Sequence, residues 1–254
     1  MPSVKGFSKS KEHLSPKQKF LSELILMDDI FMRIVLKDRK CTEFILQTIL
    51  QKPDLRVKTQ SIQSDLKNLQ GRSLILDCLC SDTKGTVYNI EVQNDSHGAS
   101  PKRARYHSGL IDMHILKKGK TFENLPESYV IFITDKDVLG EGEQLYQIER
   151  VIRKSGNLFK DGSHILYFNT AMQDDNALGK LAKDLKEANP KEIKSKVLSH
   201  RVASLKEGKL DREGEKKMNV LLEKYRKKAV EEGMERGENR LAILIGRLLE
   251  AGRM

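Results

Sequence analysis

The sequence predicts an α/β chain: a mixed central sheet flanked by helices, with a helical C-terminal extension. Three observations predict it. Two segments near the start carry apolar residues at helical spacing, and the middle alternates short strand-like runs with turn signals. From Asp174 onward the chain becomes helical and charged. This order divides it into a flexible basic tail over 1–19, a core over 20–172 and a helical extension over 173–254.

The first helix is expected over 20–36, with Leu21, Leu24, Ile25, Ile30, Phe31, Ile34 and Val35 as its apolar content. A second, over 41–51, ends before Pro53, and strand-like residues 55–60 follow. Residues 74–80 and 86–93 fold towards each other around Asp82-Thr83-Lys84-Gly85, where the glycine supplies the left-handed conformation that closes a three-residue hairpin loop. Pro101 opens a helix whose apolar stripe is Leu110, Ile111, His114, Ile115 and Leu116. Strands at 129–134, 145–149 and 164–168 complete the sheet. In the extension, Leu178, Leu181, Ala182 and Leu185 form one amphipathic segment, and Ile193, Val197, Val202 and Leu205 form another. A last stripe (Met218, Leu221, Leu222, Tyr225, Leu241, Leu244, Ile245, Leu248) is interrupted by Gly233 and Gly237. It offers either a homodimer interface or a face that folds back onto the core.

The hairpin carries the chemistry. With Thr83-Lys84-Gly85 as the loop, Asp82 faces Thr86, and counting outward sets Asp77 opposite Glu91. Directly opposed residues share a face at roughly 5 Å between Cβ atoms, where like charges repel unless a cation or a proton lies between them. Asn89 and Gln93 share the face of Glu91, whereas Asp77 stands between Ile75 and Leu79. A charge inside an apolar strand is expensive, and function is a common reason to tolerate it. Two hard oxygen ligands suit Mg²⁺, which keeps several waters and meets a substrate phosphate. The plainer alternative is a half-exposed hairpin with two solvated acids.

The helix after the hairpin places Lys102, Arg103, Arg105 and Tyr106 in its first turn and a half. Cations at a helix N-terminus oppose the dipole but suit phosphates. Arg103 and Arg105 cannot share a face, whereas Arg103 and His107, four apart, do. The whole-chain balance agrees: 46 Lys and Arg against 36 acids give +10 and a pI near 9.4, which favours a polyanionic partner.

Other classes are excluded or disfavoured. With 32% charged residues and no apolar run near the roughly 20 residues that span a bilayer, no membrane protein is expected. Cys41, Cys78 and Cys80 form neither a disulfide framework nor a zinc motif, and Cys78 and Cys80 read as core. The N-terminal residues lack the apolar stretch of a secretory signal, so a cytoplasmic location is expected.

The ordered set Asp28-Asp29-Ile30-Phe31, Asn68 to Arg72, Leu76-Asp77, Tyr88 to Gln93, Lys102 to Tyr106, Gly119, Leu125 and Tyr129 to Thr134 resembles the PD-(D/E)XK nuclease family transposases. The resemblance implies a restriction-endonuclease-like core and a metal-dependent DNA endonuclease acting in recombination or transposition. It further implies Mg²⁺ or Mn²⁺ held by Asp77, Glu91 and the main-chain carbonyl of Val92, with Gln93 at the third signature position, where Lys is usual. Leu76 replaces the signature proline. An acid on the first helix often completes such sites, and Asp28, three before Phe31, is favoured over Asp29. A DNA-binding relative that keeps the fold without catalysis is the second reading.

Overall fold

Strands β1 (Val57–Leu66), β2 (Leu74–Asp82), β3 (Val87–Gln93), β4 (Ser128–Thr134), β5 (Leu145–Ile148) and β6 (Ser163–Asn169) form one sheet in the order β1-β2-β3-β4-β6-β5. Strands β1, β2 and β3 pair antiparallel, β3, β4 and β6 run parallel, and β5 closes the edge antiparallel to β6. The sheet is therefore mixed, as expected. This computed structural model describes residues 16–68, 71–94 and 96–209, with Arg212, Glu215, Lys216, Asn219, Val220 and Glu223. The chain divides into two units, Met1–Phe20 with Leu210–Met254, and Leu21–Lys209. Helices α5 (Ala177–Lys186) and α6 (Lys196–Lys206) thus belong to the unit that holds the sheet. The stripe residues from Met218 onward, and the pairing of copies read from them, lie outside the described residues, as does most of the tail.

Helix α4 (Pro101–Ile115) is the crossover between parallel β3 and β4. Ser100 caps it by accepting from the Arg103 amide, and Pro101 sits where no intrahelical donor is needed. Its Ala104, Leu110 and Ile111 are buried in one cluster with Val130, Phe132 and Tyr167 of the sheet. On the opposite face Cys78, Ile90, Ile131 and Ile133 are fully buried, as is Thr42 of helix α3 (Arg39–Leu50), whose hydroxyl donates to the Leu36 carbonyl at 3.1 Å.

The helix expected over 20–36 is two helices, α1 (Pro16–Glu23) and α2 (Asp29–Val35). Between them Asp28 closes a turn on Ile25: its amide donates to the Ile25 carbonyl at 3.0 Å, and its Oδ2 accepts from the Ile25 amide at 2.9 Å. A short polar side chain that binds nearby backbone competes with helix in this way. The Met27 amide is drawn off to the Leu185 carbonyl as well. Strand β1 also runs six residues past the expected end at Gln60, to Leu66.

The hairpin turn follows its sequence. Gly85 has φ +91°, and the Asp82 amide donates to the Thr86 carbonyl at 3.0 Å. Buried Asp82 accepts from the amides of Lys84 and Thr86 and from the Tyr88 hydroxyl, at 2.8, 3.0 and 2.9 Å. Asp82→Ala strands these donors, so a loss of about 2–4 kcal/mol is expected in chemical denaturation, with the denaturant dependence unchanged. A loss under 0.5 kcal/mol would show that the turn holds its register without this side chain.

Candidate active site

Strands β2 and β3 pair regularly from Ser81↔Val87 to Cys78↔Ile90, and the same count sets Asp77 across from Glu91. At that point side chains replace the ladder. Glu91 Oε1 accepts from the Asp77 amide, and Asp77 Oδ2 accepts from the Val92 amide, both at 3.1 Å. Each acid thus caps the opposite strand where the two separate. On the other flank, the β1–β2 register brings Gln63 opposite Asp77, and Gln63 has φ +56°. A non-glycine residue in that region is uncommon and costs about 1–3 kcal/mol, and such outliers cluster at functional sites.

Both acids are buried, Glu91 at 1% exposure and Asp77 at 7%. Two arginines flank them. Arg33 of α2 stands 3.0 Å from Asp77 Oδ1 and also pairs with Asp29, while Arg103 of α4 approaches Glu91 Oε2 at 3.6 Å. Burial, reinforced by the neighbouring Asp77 charge, pushes the Glu91 carboxyl up to about 8. Asp77 is raised by burial too, against the opposing pull of Arg33. Two acids so placed resist being charged together.

His107 orders the basic side. Its Nε2 accepts from Arg103 Nε at 3.2 Å, and its Nδ1 lies 3.1 Å from the Asn89 side-chain nitrogen and 3.8 Å from Glu91 Oε1. Burial, and then the Arg103 charge, lower its pKa to about 4, so the ring is neutral at physiological pH. Arg103 also donates to the Gly98 carbonyl at 2.7 Å. The Gln93 amide lies against the same glycine: a Cβ on Gly98 would stand 2.0 Å from Gln93 Oε1. Gly98 therefore lets Gln93 and Arg103 converge.

Of the residues singled out in the sequence, Asp77, Glu91, Val92, Gln93 and Arg103 come together. Asp28 does not. It is spent on the Ile25 turn, and the charges that act on it are Asp29 and Lys206; Asp29, one residue on, is the acid that reaches the pair through Arg33. Tyr106 also lies apart, with its hydroxyl donating to the Arg72 carbonyl and accepting from Asn68. Lys102 and Arg105 line a cavity on another flank of α4. Ile75 is 61% exposed, so Asp77 lies between one solvated and one half-buried neighbour, rather than two buried ones. The sequence reading missed Arg33 and the Gln63 distortion, and it set Asn89 on the Glu91 face without pairing it with His107. Only the i,i+4 spacing of Asp29 and Arg33 offered a signal, and that spacing is common on solvated helices.

A mixed sheet flanked by helices, with two acids where a hairpin opens and a basic helix behind it, defines a restriction-endonuclease-like PD-(D/E)XK fold. The chain belongs to the PD-(D/E)XK nuclease family transposases, whose family model matches residues 42–229. No curated protein and no solved structure matches it. Among the described residues no helix is long and apolar enough to cross a membrane.

Proposed function

We propose that the protein is a divalent-cation-dependent DNA endonuclease, with Asp77, Glu91 and the Val92 carbonyl as cation ligands. The observation that carries this is the buried carboxylate pair at the strand opening, where burial and the neighbouring Asp77 charge push the Glu91 carboxyl up to about 8. Family membership supports nuclease chemistry. The donor set fits a hard ion. Among the described residues no group of three or more His, Cys, Asp or Glu could hold a metal, but Mg²⁺ needs only one or two carboxylates, with waters and substrate phosphate filling its shell. The Gln93 carbonyl accepts from the Asp135 amide, so the Gln93 backbone points towards β4. Alternation then turns Val92, whose amide meets Asp77, towards the opening.

A cation held there supplies Lewis-acid polarisation of the phosphoryl group and acidifies water. The chain does the rest. Gln93 orients the attacking water by hydrogen bonding, without taking its proton. Arg103 neutralises the charge that builds on the phosphate, and neutral His107 fixes the direction of its guanidinium without competing for the anion. Asp29 steers Arg33, which balances Asp77.

Plasmid nicking with Mg²⁺, with EDTA, and with Asp77→Ala tests the reading. Nicking that needs the cation and vanishes in the variant supports it; DNA binding with no cleavage under any cation supports the non-catalytic alternative. Arg103→Lys keeps the charge but loses the bidentate fork and the bond to His107, so a loss of about 10- to 100-fold in cleavage rate is expected. An unchanged single-turnover rate would remove Arg103 from the reaction.

A further inference from the structure

On another flank of α4, its first turn, the loop after Asp137 and strands β5 and β6 enclose a cavity of about 320 Å³. This is the lower end of the range for small-molecule sites, about 300–1,000 Å³, with room for one heteroaromatic ring and its sugar but not for a duplex. The walls contributed by Leu139, Ile148 and Ile165 are apolar. Tyr167 and Ser163 are among its lining residues, and their hydroxyl oxygens, Tyr167 Oη and Ser163 Oγ, are buried without a hydrogen-bond partner among the described residues. Tyr167 is 2% exposed, and its ring is fixed by stacking on Phe132 at 5.4 Å. Unpaired buried hydroxyls are costly, and each can either donate or accept. Such a cavity suits a flat ring that carries both donors and acceptors.

The rim is cationic. Lys102 and Arg105 are exposed there, and Arg150 stands beside them, paired with Asp161. The rim carboxylate, Glu149, is engaged by His164 Nδ1 at 2.6 Å. Lys102 and Arg105 belong to the same turn of α4 as Arg103, so one backbone that runs along this turn would meet both the acid pair and the cavity. Arg150 also lies in a hairpin over 149–162, in which Val151 and Leu158 form a bridge. Val151, Ile152, Leu158 and Phe159 are 47–59% exposed there, interleaved with Arg150, Arg153, Lys154 and Lys160. Apolar wedges flanked by cations are how proteins unstack base steps.

We propose that this cavity receives a single nucleobase unstacked from bound DNA, with Tyr167 and Ser163 hydrogen-bonding its edge and Lys102 and Arg105 holding the adjoining phosphates. The proposal rests on the DNA-endonuclease reading. A base already unpaired spares the protein the unpairing energy, so DNA with a mismatch should bind more tightly.

The test measures affinity of the full chain in EDTA for two duplexes that differ by one mismatch, by fluorescence anisotropy. The wild type is expected to bind the mismatched duplex about tenfold more tightly. Ile165→Trp, which fills the cavity, should erase the preference and keep affinity for the matched duplex. Tyr167→Phe, which removes a hydroxyl with no hydrogen-bond partner among the described residues, should fold normally and lower the preference at least threefold, to about 3. Equal binding of both duplexes by the wild type, or a preference that survives both variants, overturns the pocket while leaving the nuclease reading intact. No duplex binding at all overturns both. If deoxyadenosine monophosphate raises the melting temperature of the wild type and no mismatch preference exists, the ligand is a free nucleotide and the proposal falls.

Discussion

Glu91→Gln is expected to abolish DNA cleavage, by about three orders of magnitude or more, while duplex affinity stays equal or rises. The two effects separate because Glu91 has two roles. As a carboxylate it is one of the two acids paired at the strand opening, and a neutral amide replaces it poorly towards a hard cation. As a hydrogen-bond acceptor it caps the Asp77 amide at 3.1 Å, and the glutamine carbonyl oxygen can keep that bond. With the Glu91 carboxyl pushed up to about 8, the neutral amide leaves the charge facing the phosphate unchanged below that pH and removes a negative charge above it, so affinity should not fall. Single-turnover cleavage and anisotropy on one oligonucleotide duplex check both halves. Affinity that collapses together with cleavage would assign Glu91 to the fold instead.

Local chemistry made the hairpin legible in the sequence. Asp82 and Gly85 set the turn, the turn set the count, and the count set Asp77 opposite Glu91, because every step depends on residues within one hairpin. The basic first turn of α4 and its Arg103–His107 pairing were legible for the same reason. What arrives from elsewhere in the chain was not. The continuous apolar period through residues 20–36 hides a break made by one side chain, Asp28, and by a contact of Met27 with Leu185. That break reassigned the nearby acid from Asp28 to Asp29, because it takes Asp28 out of the helix and starts α2 at Asp29. Arg33 belongs with the site only because α2 packs beside β3, a tertiary fact with no sequence spacing of its own. The left-handed Gln63 was equally hidden, since glutamine has no particular preference for that conformation and the surrounding strand imposes it.

The cation-free protein is expected to lose stability as pH rises from 6.5 to about 8, and Mg²⁺ is expected to restore it. The sign follows from Glu91, whose carboxyl titrates at about 8 in the fold against an ordinary 4.5. Between those values the folded chain holds a proton that the unfolded chain has released, so its contribution is present at low pH and lost as pH climbs through the folded value. Asp77, also raised, acts in the same direction. His107, lowered from 6.5 to about 4, acts in the opposite one, but only over that lower window, which is why the fall should stand out above pH 6.5. Above pH 8 Glu91 is charged while buried beside Asp77, and a divalent ion then replaces its lost proton with no proton to displace there. A Mg²⁺ concentration of about 100 times Kd should raise the melting temperature by roughly 5–10 °C at pH 8.5, and by clearly less at pH 6.5. Thermal melts in EDTA and in Mg²⁺, run on the wild type and on Glu91→Gln, measure this directly. The variant should show a flatter pH dependence and little response to Mg²⁺. A Mg²⁺ shift of equal size in both proteins would place the ion away from the carboxylate pair and leave the strand opening as a structural feature alone.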